Sequence, residues 1–303
     1  MTKFYKLFTA ILAFFALATP AAAQDAAMSL DAKVNAAFAS FTGPFVNFIF
    51  APIPGTSFPW IVMWLVIGAS IFTIYFTFVQ FRYFGHAISL VKGDYSNPDD
   101  AGEVSHFQAL ATALSGTVGL GNIAGVAVAV GIGGPGATFW MILAGLLGMA
   151  SKFTECTLGV KYRNEYPDGT VSGGPMYYMS KGLKERGFAG IGKVLAVIFA
   201  VLCIGASFGG GNAFQSNQAT VQITSMLGIE GGSMGFVIGI ILAILVGIVI
   251  IGGIKRIASI TEKIVPFMAG IYVLAALVII FANFNDIGTA FSLIIEGAFT
   301  PMA

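Results

Sequence analysis

The sequence predicts an all-α polytopic membrane protein, and three observations carry that prediction. Charged residues are 10% of the 303 residues and hydrophobic ones 57%, whereas a soluble domain carries about 25% charged residues. Uncharged blocks recur that match or exceed the roughly 20 residues needed to cross a bilayer. The twelve Lys and Arg residues after Lys33 all fall on one side of the alternation these blocks impose, as the positive-inside rule requires.

The elements follow in order. Lys3 and Lys6 precede a short apolar run, and Pro20-Ala-Ala-Ala23 stands before Gln24. That is the order of a cleavable signal peptide, so residues 1–23 are set aside from the fold. Residues 24–59 are expected as a periplasmic segment, with the mature N-terminus outside a bacterial inner membrane. Residues 60–81 form the first span. An uncharged block from Phe107 to Ser151 is broken by Gly131-Ile-Gly-Gly-Pro-Gly136, a turn signal that divides it into spans 107–130 and 137–160. Further spans are expected at 193–222, 235–254 and 264–283. Arg82, Lys92, the seven basic residues from Lys152 to Lys193, Lys255, Arg256 and Lys263 then lie inside. The loop "PDGTVSGGPMYYMSKGLKERG" has turn chemistry and room for a short interfacial helix from Met176 to Lys184. Ile287, Ala290, Phe291 and Ile294 share one face of a second amphipathic helix.

Several functions are excluded. A net charge of +1 without a basic, aromatic-interleaved cluster predicts no nucleic-acid partner. Cys156 and Cys203 sit in or beside apolar stretches and offer neither a disulfide framework nor metal-ligand spacing. His86 and His106 are too far apart in sequence to suggest a metal pair. Glu155 with Lys152, and Glu262 with Lys263, read as solvated pairs at a helix edge. Trp60, Trp64 and Trp140 read as interfacial anchors. No nucleophile–base pairing or carboxylate dyad falls inside a span, so no enzyme is predicted.

The stretch "SGTVGLGNIAGV", Ser115 to Val126, admits three readings. A potassium-filter motif needs a re-entrant loop, yet this segment belongs to a full crossing. A dinucleotide-binding glycine pattern needs a preceding strand and a soluble crossover. A membrane helix interrupted midway explains more, because Ser115, Thr117 and Asn122 accompany the glycines and need partners in hydrocarbon. A break near Gly119–Gly121 frees amides for a carboxylate and carbonyls for a cation. A second polar cluster, "SFGGGNAFQSNQATVQ", supplies an opposite wall through Asn212 and Gln215. Gly211, Gln215, Gln218 and Gln222 follow helical spacing along one stripe. Neutral amides both donate and accept, which suits a zwitterion.

"TALSGTVGLGNIAGVAVAVGIGGPGATFWM", "GMASKFTECTLGVKYR", "DGTVSGGPMYYMSKGL" and "GGGNAFQSNQA" together resemble the alanine or glycine:cation symporter family. The resemblance implies a LeuT-like inverted-repeat transporter, of which this chain covers one extra helix and the first five-helix repeat; the second repeat is missing. It implies sodium-coupled symport of a small neutral amino acid such as alanine or glycine, with Na+ as coupling ion, the lipid bilayer as solvent and no organic cofactor. Carried over position by position, Thr117, Gly119, Leu120, Gly121, Asn212 and Gln215 bind substrate. Ser115, Val118 and Asn122 would hold sodium, with Thr117 and Asn122 lying where a second sodium or the substrate sits in relatives. A channel subunit, or a non-transporting fragment of a longer symporter, stands as the alternative.

Overall fold

A computed structural model of the chain describes residues 30–97, 102–228 and 232–300. The chain divides into two compact units, residues 1–68 and 69–303, and is mostly helical. The expected leader, residues 1–23, lies outside the described residues.

In the first unit, α1 (Leu30–Ile49) runs through Pro44. The segment expected at 24–59 therefore contains a helix that the Gly43-Pro44 pair disguises as a breaker. The chain then reverses: the Ile53 amide donates to the Phe58 carbonyl at 2.9 Å, and Pro52 bridges Pro59. The Trp60 indole donates to the Phe48 carbonyl at 2.7 Å, with the two rings 5.7 Å apart.

The second unit begins within α2 (Trp60–Tyr75). The span expected at 60–81 stops at Tyr75 because Thr77 (φ 49°) and Phe78 (φ 58°) are left-handed. For residues with a Cβ, that conformation costs about 1–3 kcal/mol each. The Phe78 amide donates to the Thr73 carbonyl at 2.9 Å, and the Arg82 guanidinium donates to the Thr77 hydroxyl. Short helices α3 (Val79–Arg82) and α4 (Phe84–Lys92) follow.

Helix α5 (His106–Thr117) opens with a capping box. Ser105 Oγ accepts from the Gln108 amide at 3.2 Å, and Gln108 Oε1 accepts from the Ser105 amide at 3.1 Å. Then come α6 (Leu120–Gly133) and α7 (Gly136–Lys161), and a small hairpin of β1 (Asn164–Glu165) and β2 (Val171–Ser172). Helix α8 (Pro175–Glu185) closely matches the expected short helix. Helix α9 (Ala189–Phe208) leads through a π turn, Gly209–Ala213, into α10 (Phe214–Leu227). Helices α11 (Gly232–Ile250), α12 (Gly253–Ala282) and α13 (Ile287–Phe299) complete the order.

Among the described residues four helical stretches are long and apolar enough to cross a membrane: His106–Gly133, Gly136–Lys161, Ala189–Leu227 and Gly253–Ala282. At most 11% of the apolar stretch of each is buried, an exposure that water penalises and hydrocarbon does not. The chain is thus a polytopic helical membrane protein. Trp60–Tyr75 and Met234–Ile250 are shorter apolar helices. The span expected to begin at 264 instead starts at Gly253, with Lys255, Arg256, Glu262 and Lys263 on its early turns. Its 30 residues measure about 45 Å at 1.5 Å per residue. That exceeds the roughly 30 Å hydrocarbon core, leaving length for the charged turns beyond it.

Small residues mark the helix contacts. Ala111 of α5 and Ala258 of α12 are buried, and their neighbours Thr112 and Thr261 bring hydroxyl oxygens within 3.2 Å. Where α13 meets α7, a Cβ on Gly136 would lie 2.2 Å from the Gly297 carbonyl. Trp140 donates its indole N–H to the Ala298 carbonyl at 3.1 Å beside this crossing. On the other flank of α7, Thr73 donates to the Leu147 carbonyl at 3.4 Å and Gln80 to the Leu146 carbonyl at 3.3 Å.

Candidate functional site: an interrupted membrane helix

The span His106–Gly133 is two helices in line, not one. Val118 (φ −88°, ψ 91°) and Gly119 (φ −147°, ψ −162°) are extended between them. Neither residue belongs to a helical turn. The amides of Gly119, Leu120 and Gly121, and the carbonyls of Ser115, Gly116, Thr117 and Val118, are therefore released from i→i−4 bonding. Gly119 accepts the amides of Asn122 and Ile123 at 3.0 and 3.2 Å and so starts the second helix. The break is expected near Gly119–Gly121 and lies at Val118–Gly119. Leu120, Gly121 and Asn122 already form the first turn of α6, and of these the Leu120 and Gly121 amides have no intrahelical acceptor.

The hydroxyls beside the break turn back on their own helix. Ser115 Oγ donates to the Thr112 carbonyl at 2.7 Å, and Thr117 Oγ1 to the Ala113 carbonyl at 2.8 Å. Each spends its proton locally and keeps its oxygen lone pairs free. The bared backbone thus presents donors on one side of the break and acceptors on the other.

The π turn places the second polar cluster. Five residues, Gly209-Gly-Gly-Asn-Ala213, widen the helix, and the Phe214 amide reaches back to the Gly209 carbonyl. Gly211 therefore leaves the α-helical stripe expected from its spacing, while Gln215, Gln218 and Gln222 stay in regular α10. A Cβ built on Gly119 would lie 3.8 Å from Gln215 Oε1 and 3.9 Å from Nε2. Two of the expected site residues, Gly119 and Gln215, are in this way brought together across two spans. Asn212 lies in the π turn, less than a turn before Gln215. Among the described residues the amide side chains of Asn122, Asn212 and Gln215 have no hydrogen-bond partner.

Such groups are costly in hydrocarbon unless water or a ligand meets them. The π turn itself carried one sequence signal, three consecutive glycines, though nothing in the spacing announced five-residue bonding. Elsewhere the expected pair forms, with Lys152 Nζ 3.0 Å from Glu155 Oε2. His106 Nδ1 bonds Ser96 Oγ at 2.9 Å and His86 stacks edgewise on Tyr95 at 4.9 Å. Among the described residues no His, Cys, Asp and Glu cluster could hold a metal.

The sodium:alanine symporter family model matches residues 44–303. The sodium/alanine symporter AgcS of Methanococcus maripaludis is 44% identical over 246 residues, 80% of this chain and 53% of that protein. An uncharacterized transporter of Haemophilus influenzae is 45% identical over 241 residues, 79% of this chain and 50% of its own length. The probable sodium/glutamine symporter GlnT of Bacillus subtilis is 36% identical over 240 residues, 78% of this chain and 47% of its own. The chain spans about half the length of the curated relatives it matches. With a span interrupted at Val118–Gly119 and a match over residues 44–303, the chain belongs to the sodium:alanine symporter family, a family of transporters and not of enzymes.

Proposed function

We propose that this chain supplies one half of a sodium-coupled symporter for small neutral amino acids, alanine or glycine, working by alternating access in a bacterial inner membrane with the mature N-terminus outside. In this reading α2 is an extra helix, and the spans from α5 to α12 make the first repeat of a LeuT-like inverted pair. The observation that carries it is the extended pair Val118–Gly119 inside a membrane span, facing Gln215.

The chemistry follows from that geometry. The free amides of Leu120 and Gly121 sit at the N-terminus of α6, where the helix dipole favours an anion, and they bind the substrate carboxylate. The released carbonyls of Ser115 and Val118 offer hard oxygen ligands to sodium, with the Asn122 side-chain oxygen beside them. Thr117, Asn212 and Gln215 complete the substrate wall, Gly119 leaving space for the ligand to approach. Sodium draws the carbonyl side of the break together and so organises the amide side for substrate, which couples the two binding events.

The test is uptake by the full-length protein in liposomes. An inward sodium gradient should drive saturable alanine accumulation that is lost when choline replaces sodium. Accumulation unchanged in choline refutes sodium coupling, and a current that does not saturate with substrate indicates a pore.

A further inference from the structure

The hairpin of α8 and α9 carries a separate feature at its basic end. The two helices cross closely because Gly192 has no side chain: a Cβ there would fall 2.6 Å from the Met179 carbonyl and 3.0 Å from the Leu183 Cβ. Beside the crossing lies a groove of about 320 Å³, walled by Met176, Tyr177 and Ser180 of α8 and by Ala196, Val197 and Ala200 of α9. Its lining is almost entirely apolar, and it belongs to no part of the interrupted helix.

Cations continue both walls. Tyr177, Ser180 and Lys184 follow i, i+3, i+7 on α8; Lys193, Ala196, Val197 and Ala200 follow i, i+3, i+4, i+7 on α9. Lys184 and Lys193 flank the turn that joins the helices, and Arg186 lies within it; all three are exposed. Among the described residues none of them pairs with a carboxylate. The remaining charges of α8 are engaged elsewhere. Lys181 Nζ donates to the Tyr162 carbonyl at 2.8 Å and to Asn164 Oδ1 at 2.6 Å, while Glu185 accepts the Tyr162 hydroxyl at 2.8 Å.

We propose that this groove binds an anionic phospholipid of the surrounding bilayer, one acyl chain lying against Tyr177, Ala196 and Ala200 and the phosphate meeting Lys184, Arg186 and Lys193. An apolar trough at the end of a membrane span already faces acyl chains, and three unpaired cations beside it select a net negative headgroup. A zwitterionic lipid carries its own compensating cation and gains less from the same three groups. A soluble phosphate meets the cations but leaves the trough unfilled.

Native mass spectrometry of the full-length protein reads this directly, after incubation with equal phosphatidylglycerol and phosphatidylcholine. Retention of the anionic lipid should exceed that of the zwitterionic one about fivefold or more and fall in high salt, since screening shortens to about 3 Å at 1 M. The Lys184→Gln/Arg186→Gln/Lys193→Gln variant, altered only at exposed positions, should bring the two lipids level. Ala200→Phe, which fills the trough, should lower retention of both, and glycerol phosphate should not compete at millimolar concentration. Equal retention of the two lipids by the unaltered protein, or undiminished preference in the triple variant, overturns the proposal. Competition by glycerol phosphate overturns the acyl-chain part.

Discussion

The side-chain amide of Gln215 in α10 stands where a Cβ added to Gly119 would make ordinary contact with it, 3.8 Å from Oε1. Gly119 is extended (φ −147°), a conformation any residue adopts, so its lack of a side chain is not dictated by backbone strain. Gly119→Ala should leave folding intact, changing melting temperature by a degree or two. Gln215→Ala should likewise fold but raise the KM for sodium-driven uptake, about tenfold for the loss of one hydrogen bond to a charged group of the substrate. Uptake kinetics beside a melting curve separate the two effects.

Gly121 offers a cleaner separation of fold from function. A Cβ there meets nothing within 4 Å, and valine costs a helix only about 0.5 kcal/mol relative to good formers. Gly121→Val should insert and melt as the parent does, yet lose uptake by at least tenfold, because the branched side chain screens the amides at the break. Normal uptake in this variant would remove the amides from the substrate site.

Gly136 behaves oppositely. Its Cβ would overlap the Gly297 carbonyl at 2.2 Å, backbone against backbone, so Gly136→Ala should force α13 away from α7 and destabilise by about 1–3 kcal/mol. Gly131→Ala, where a Cβ meets nothing within 4 Å, is the matched control. Trp140 fluorescence reports the difference, since its indole bonds the Ala298 carbonyl in the same crossing.

Thr112 and Thr261 join α5 to α12 through oxygens 3.2 Å apart. A double-mutant cycle with valine at each position should give a coupling of about 0.6 kcal/mol, the usual worth of such a bond between membrane helices. Ala258→Leu at the same interface, where the residue is fully buried, should cost several times more. Thermal unfolding in detergent checks both.

Between β1 and β2, Thr170 holds the turn of the small hairpin. Its hydroxyl donates to Asp168 Oδ1 at 2.7 Å and its amide at 3.1 Å, which keeps the Asp168 carboxyl below its usual value. A depressed carboxyl stabilises the turn above its unfolded pKa, and that help is lost as pH falls through the folded one. Thr170→Val should raise the Asp168 pKa toward the ordinary carboxylate range, read by carbon NMR of the labelled side chain.

The helices were legible because charge is absent where hydrocarbon lies, and the break because Ser115, Thr117 and Asn122 share a stretch with four glycines. What the sequence hid has physical causes. Helix α1 passes through Pro44, whose fixed φ is helical although it gives up an amide. Thr77 and Phe78 take left-handed angles that no local residue type announces; the surrounding bonds from Phe78 and Arg82 hold them there. The early turns of α12 are charged, and reading spans by uncharged residues began that helix eleven residues late, at 264 instead of Gly253. Which helices touch was not readable either, because alanine and glycine contacts depend on partners far away in sequence.

The π turn at Gly209–Ala213 also gives this span one place where it is insensitive to counting. A π turn closes over one more residue than an α turn, so removing a single glycine there lets ordinary α-helix run straight through. Five residues of a π turn advance around the axis by about as much as four of α-helix, so the side chains from Phe214 to Leu227 then keep their facing and the Gln215 amide stays toward Gly119. A one-letter deletion in this triplet is therefore absorbed where it falls, whereas a deletion further along, within Phe214–Leu227, turns every later side chain of that helix by about 100° around the axis.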